Sequence, residues 1–599
     1  MLSRQLASAC KQKCSPVHPW RRSIWIVPRW GVRSVSSLPD SRFFRALQQH
    51  DRLSSAVVHS KSGRSFDYGN LVGDVVRSKE LLLDRQPVLS GQRIAFLAEN
   101  SYDYVVMLFS ILAADAIAVP LSPAFPAAEL KYILNQSEAS TLLATERYAD
   151  MAQALAKDGL DQSLVLDIRP KIMQGSSHSH SITLDSSQSP RGGLMLYTSG
   201  TTNRPKGVLL PLSALEAQSQ SLIEAWQYSA QDRLLHMLPL HHIHGTVNAL
   251  ITPVLAGSSI EFLYPFNPDT VWRRLAAPFL GTQPNSKDKI TFLTAVPTLW
   301  TRLMETFSDL PPTVQSAAQQ AISSDNLRLN ISGSAALPTP TKRAWTELSR
   351  GNVLLERYGM TEVGMAISCG LDPVDRVDGS VGWPLPSVEA RLWDADKGEI
   401  IQRGEELDEA GRERVGEIQL RGPTIFAEYF RNQQATAESF TDADDDGNGP
   451  WFRTGDVAVR RDVPGAGNGA SGSWAKGPLY FIQGRRSVDI IKTGGEKVSA
   501  LEVERELLSL PEISEAAVVG LPSERWGQKV GAVVVLKRTL ATEHAGKPWG
   551  AMDIRRALKG RLAMYKLPQE VKILSKPIPR NAMGKVNKKQ LVREVFGLT

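Results

Sequence analysis

Cysteine is nearly missing from this 599-residue chain: only Cys10, Cys14 and Cys369 occur. The first two stand in an N-terminal segment of unusual composition, so Cys369 is alone in the remainder. That excludes an internal disulfide framework there and suits a reducing compartment. A lone small thiol reads as a core residue rather than a nucleophile. Long apolar runs are missing too. The longest candidate, residues 105–121, carries Asp115 and ends near Pro120. It reads as a helix running into a strand, not as a membrane span. Acidic residues are missing from residues 1–39, where Arg4, Lys11, Lys13, Arg21, Arg22, Arg29 and Arg33 stand. Those seven cations equal the whole net charge of +7. The rest is near neutral, which argues against nucleic acid as a partner.

Residues 1–39 are rich in Arg and Ser with interspersed Leu, Trp, Ile and Val. This is the composition of a mitochondrial transit peptide, and the bland alternative is a tail with no address. Matrix localisation is the expectation. A chain this long exceeds one hydrophobic core. From residue 43 to about 188, apolar strands (94–97, 116–120) alternate with helical periods (104–112, 127–137), the pattern of parallel α/β architecture. It continues through strand-like runs at 234–238, 259–262, 290–296 and 327–331. Beyond about 485 the chain is more charged, with strand-like runs at 516–519 and 532–536 and amphipathic helices. The expected organisation is a leader (1–39), a large α/β domain with mixed sheets (40–484) and a small α+β lid (485–599). Residues 441–450, acidic and Gly-rich, and 464–477, rich in Gly, Ser and Ala, read as surface insertions, the second flexible.

The most informative stretch is residues 194–210, LMLYTSGTTNRPKGVLL. Apolar runs enter and leave it. Between them lie Thr198, Ser199, Gly200, Thr201, Thr202, Arg204, Lys206 and Gly207: small residues, hydroxyls and two cations. That is the composition of a phosphate cradle. It is not a Walker loop, because Lys206 is followed by Gly207 and an apolar strand rather than by Ser or Thr and a helix. A polar hairpin is the bland alternative. The segment LPLHHIHG places His241, His242 and His244 close together, but no carboxylate or Cys cluster accompanies them as a metal site needs. Further strings are SGSAALP (332–338), ERYGMTEVGM (356–365), GSVGWPLP (379–386), WFRTGDV (451–457), GRRSVDIIKTGGEKVSALEVE (484–504) and PRNAMGK (579–585).

Residues 194–210 resemble the signature of the adenylate-forming superfamily, which holds acyl-CoA synthetases, peptide-synthetase adenylation domains and luciferases. The other strings resemble its remaining core motifs in order, from about residue 50 to the end. Within it, the motifs look closest to malonyl-CoA synthetases of the mitochondrial type. The resemblance implies ATP, Mg²⁺ and coenzyme A as cofactors. It gives the loop from Thr198 to Lys206 the β- and γ-phosphates, with Thr201 near the metal. It lays Gly333, Ser334 and Ala335 along the nucleotide and acyl pockets, and includes Glu356, Arg357, Gly359 and Met360 in the nucleotide site. Tyr358 would stack on adenine, Thr361 contact the α-phosphate and Glu362 hold Mg²⁺, a hard cation suited to a carboxylate. Asp456 would bind the ribose hydroxyls, Arg485 the ribose or phosphate, and Gly494 and Gly495 would admit the CoA arm. Lys585 matches the catalytic lysine, whereas Lys588 and Lys589 read as solvated. A hinge would lie between Arg485 and Asp489. His242 would gate the acyl pocket.

Burying a dicarboxylate substrate needs a cationic partner. Arg376 is the first candidate and Arg302 the second; the bland reading of each is a surface ion pair. Rival functions are a CoA ligase for a medium-chain, aromatic or oxalate acid, a luciferase-like oxygenase or carrier-protein adenylating enzyme, and a non-catalytic ATP binder.

Overall fold

The computed structural model describes residues 37–157, 159–176, 182–186, 191–198, 204–281, 288–444, 447–494, 496–537, 549–580 and 586–598. Residues 1–36 of the predicted leader, Ser199, Gly200, Thr201, Thr202, Gly495 and Lys585 therefore lie outside the described residues, whereas Ser37–Pro39, at the end of that leader, pair as a strand with Thr183–Asp185. Among the described residues no helix is long and apolar enough to cross a membrane.

Two large sheets form the body. The first runs, edge to edge, through Glu428–Tyr429, Lys206–Pro211, Gly193–Thr198, Ile117–Pro120, Arg93–Leu97, Thr141–Thr145 and Val165–Arg169. Its centre is parallel, as the alternation of strand and helix periods requires. The helix Tyr102–Ala113 is buried on every side, which explains its continuous apolar sequence. The second sheet has nine strands, in the order Trp383–Pro384, Gly364–Ser368, Leu355–Met360, Leu329–Ser332, Phe292–Ala295, Arg233–His236, Ser259–Phe262, Ser55–His59 and Ser65–Asp67. Its middle is again parallel. The expected strands and helices of residues 94–137 and 234–331 are all present, with ends shifted by a few residues.

A third sheet carries the long strand Pro450–Arg461 paired with Leu479–Arg485, so that Asp456 faces Arg485 in register. Beyond it, residues from Ile490 build a separate five-stranded sheet around the hairpin Ile513–Ser523 and Gly527–Leu536. It has its own apolar core, including Ile491, Val503, Val518, Val534 and Ile554. Small-domain packing of this kind matches the expected α+β lid.

The Gly-rich insertion departs from expectation. It is tied down rather than flexible. Asp375, fully buried, accepts from Ser471 Oγ (2.7 Å) and from the Gly467 backbone N–H (3.1 Å). Trp383 Nε1 donates to Gly477 O at 2.8 Å, and Ala475 is buried. A carboxylate without water must find donors, and the small residues of the insertion let its backbone come close enough to supply them. The acidic insertion is anchored as well: Asp444 accepts from Arg391 and from Trp451 Nε1, both at 2.7 Å.

Candidate active site

The strands Gly193–Thr198 and Lys206–Pro211 pair antiparallel, with Thr198 opposite Lys206. The predicted phosphate loop is thus a connection between two strands. The two cations beside it, Arg204 just ahead of the second strand and Lys206 at its first position, meet different rings. Lys206 Nζ sits 4.7 Å from the ring centre of Tyr429. The Tyr429 hydroxyl donates to Glu362 Oε1 at 2.8 Å, so Lys206, Tyr429 and Glu362 form one chain of contacts. Glu362 is buried and Thr361 half-buried, in the turn between Leu355–Met360 and Gly364–Ser368. Arg204 is exposed and stacks on Tyr132, 5.6 Å from its ring centre, on the wall of a cavity of about 460 Å³ also lined by Gln136, Phe430 and Arg431. Tyr429 is a contact that motif reasoning missed; only its neighbourhood to an edge strand marks it.

A second cluster joins three predicted nucleotide residues. The Tyr358 hydroxyl donates to Asp456 Oδ2 at 2.7 Å, and Arg485 Nε lies 3.4 Å from Asp456 Oδ1. Burial raises the Asp456 carboxyl, and Arg485 opposes that. Arg485 itself stays exposed, and so does Gly494, with φ +58°. A Cβ there would stand 2.8 Å from the ring of Trp526, so only glycine fits.

The third cluster lies where the second sheet ends. Ser334 follows the strand Leu329–Ser332 and adopts φ +66°, a strained conformation for a side-chain-bearing residue. Ser334 and Ala335 are exposed. His244 opens a π-helix, His244–Ile251, a geometry frequent at functional sites. Its Nδ1 lies 3.2 Å from Ser334 Oγ and its Nε2 2.6 Å from Thr294 Oγ1. Burial, and then the charge of Arg357, push the His244 imidazole well below its usual range, so it is neutral at pH 7. Arg357 Nη2 donates to Ser334 Oγ at 3.4 Å. The Arg357 guanidinium is buried, and its Nε has no hydrogen-bond partner. Burial lowers it to about 10, which still leaves it charged at neutral pH. Gly333 is what allows it to lie there: a Cβ on Gly333 would stand 2.5 Å from Arg357 Cζ.

Several sequence expectations change here. Arg376, the first candidate for a substrate carboxylate, is spent inside the protein. It donates to Gly370 O (3.3 Å), Asn330 Oδ1 (3.2 Å), Val353 O (2.6 Å) and Leu371 O (2.6 Å). Its planar fork satisfies loop and strand oxygens that burial cuts off from water. Glu356, expected in the nucleotide site, is buried in an ion pair with Lys342 at 2.8 Å. Arg302 is exposed over Phe266, 5.1 Å from its ring centre. His242 is half-buried against His241, ring centres 4.2 Å apart, while His244 is the histidine beside Ser334. Lys588 is not solvated: its side chain is 12% exposed, between Asp489 and Glu504.

The AMP-binding enzyme family model matches residues 43–430, and the AMP-binding enzyme C-terminal domain model matches 502–585. A CoA ligase from Gibberella moniliformis is 56% identical over 581 residues, covering 93% of this chain and 95% of its own. The human malonate–CoA ligase ACSF3, mitochondrial, is 36% identical, covering 94% and 93%. The crystal structure of ATP-bound MatB from Rhodopseudomonas palustris superposes with TM-score 0.73 at 29% identity, covering 93% of this chain and 98% of that one. The chain belongs to the AMP-binding enzyme family, as an AMP-forming CoA ligase.

Proposed function

We propose that the acid is malonate, with methylmalonate as a second substrate, and that the product is the corresponding acyl-CoA. The observation that carries this is Arg357: a buried, charged guanidinium with an unpartnered Nε, beside an exposed serine and a neutral histidine. A lone buried cation is unfavourable until an anion meets it. The second carboxylate of a short dicarboxylic acid is such an anion, and a planar guanidinium matches it in two-point fashion. Malonate–CoA ligases among the relatives support the same reading. Arg302, exposed in the last turn of the helix Pro297–Glu305, is a secondary candidate for the same charge.

In this reading one carboxylate attacks the α-phosphorus of ATP, giving an acyl-adenylate and releasing pyrophosphate. The thiol of CoA then attacks the acyl carbon, and AMP leaves. Lys206 and Arg204, with Thr198 to Thr202, hold the phosphates. Tyr358 and Asp456 hold the adenosine and Arg485 its ribose or phosphate. Glu362 fits Mg²⁺, as a buried carboxylate with Oε1 already fixed by Tyr429; the ion would neutralise phosphate charge. Lys585 would stabilise charge between carboxylate and α-phosphate, and losing such a group costs on the order of 10²–10³ in rate. The lid of residues 485–599 would turn about the 485–489 segment to exchange Lys585 for the Gly494–Gly495 face. The basic leader and the mitochondrial names of relatives support a matrix location.

The test is thioester formation by the chain, with and without residues 1–39, given ATP, Mg²⁺ and CoA. Malonate, methylmalonate, acetate, oxalate and octanoate are compared. Preference for malonate is expected. Preference for octanoate or acetate keeps the adenylating chemistry and removes the dicarboxylate pocket.

A further inference from the structure

The lid holds a buried charge cluster that the reaction above does not use. Lys588 Nζ lies 2.5 Å from Asp489 Oδ1 and 2.7 Å from Glu504 Oε1. These side chains are only 12–16% exposed. Three separate elements meet there. Asp489 precedes the strand Ile490–Thr493, Glu504 lies on the helix Ala500–Leu508, and Lys588 opens the helix Lys588–Phe596. Both carboxylates are held a second time: Asp489 Oδ2 accepts from the Arg485 backbone N–H at 3.0 Å, and Glu504 Oε1 from that of Val518 at 2.8 Å. Placing a cation and two acids out of water is costly, and apolar packing already fixes the same helix through buried Leu591. A purely structural role therefore leaves the cluster without a reason.

The chain supplies one. Lys588 stands three residues after Lys585, at most about 11 Å of extended backbone. On the other side, Arg580 Nη2 pairs with Glu515 Oε2 at 3.0 Å in a more exposed setting. Arg580 and Lys588 stand on either side of Lys585 in the sequence, and the buried pair is the nearer one.

We propose that Lys588 is a positioning residue for adenylation: its double ion pair fixes the end of the Lys585 segment to Asp489 and Glu504. This rests on the reading of Lys585 given above. A reacting ammonium misplaced by an ångström forfeits most of its effect, while groups that serve the second half-reaction stay where they were.

The full chain is assayed in two halves. One is malonate-dependent exchange of labelled pyrophosphate into ATP; the other is consumption of supplied acyl-adenylate by CoA. Lys588→Met is expected to lower exchange on the order of 100-fold while adenylate consumption stays within about threefold. Lys588→Arg is expected to recover most of the exchange, and Arg580→Ala to lose little. Equal loss in both halves, or no loss in either, overturns the proposal. If Lys588→Met does not fold, the isosteric Glu504→Gln decides: selective loss of exchange supports the proposal and equal loss overturns it. Failure of the wild-type chain to exchange with any acid overturns the function itself, and is told apart because wild type and variants then fail alike.

Discussion

Two buried arginines, nineteen positions apart, have opposite fates. Arg376 spends its donors on four protein oxygens. Arg357 touches one serine and keeps Nε unmatched. Both are shifted down to about 10 by burial, so burial does not distinguish them. Unspent hydrogen-bonding capacity does. A buried cation whose partners are all internal is part of the fold; one with a single serine contact has donors left for an anion, which is what the proposed role of Arg357 requires.

The sharpest way to break that contrast is Arg357→Ala. Removing one partner of a buried charge pair costs about 2–5 kcal/mol, so kcat/KM for malonate is expected to fall on the order of 10²–10³-fold. The rate with acetate should fall far less. Competition between the two acids in a single thioester assay measures it, and an unchanged ratio refutes the carboxylate role.

Arg376→Met should do the reverse. Stranded carbonyls and a lost network are expected to cost about 3 kcal/mol of stability, read as a lower denaturant midpoint. Whatever folds should keep the wild-type ratio of malonate to acetate. A changed ratio would return Arg376 to the substrate site. Ser334→Gly is a milder change. It relieves the positive φ but removes the hydroxyl shared by His244 and Arg357, and a lost hydrogen bond to a charged group predicts about a tenfold fall in malonate use.

The smallest expected effect is one of pH. An imidazole held well below its ordinary range stays neutral until the pH falls past that lowered value; protonation would then set a second positive charge beside Arg357. Malonate preference should therefore be flat between pH 6 and 8. A step near 6.5 would mean that His244 is solvated, contrary to its burial.

Much of this was legible in the chain. Alternating apolar runs gave the parallel sheets, and the Thr198–Lys206 string gave a loop between strands, because a β-sheet imposes its period locally. What escaped depended on what lies across space. Arg357 stood inside a quoted motif, but no local signal shows that its neighbours are Gly333 and His244 and not an acid. Arg376 attracted attention by adjacency, which says nothing of Asn330 and Val353. Lys588 looked solvated because lysines near a chain end usually are; its partners come from 84 and 99 positions away. The Gly-rich insertion looked slack because composition is blind to Asp375, the buried carboxylate that it serves.

The π-helix His244–Ile251 has a consequence of its own. Such a segment is an α-helix with a residue to spare, and the surplus is removable. Deleting one residue between Gly245 and Ile251 would let the turn rewind with ordinary i→i−4 bonds and swing His244 off Ser334. The strands Arg233–His236 and Ser259–Phe262, parallel neighbours on either side of it, would stay paired. The lining of this cleft is therefore tunable by chain length, through a kind of mutation that no substitution scan samples.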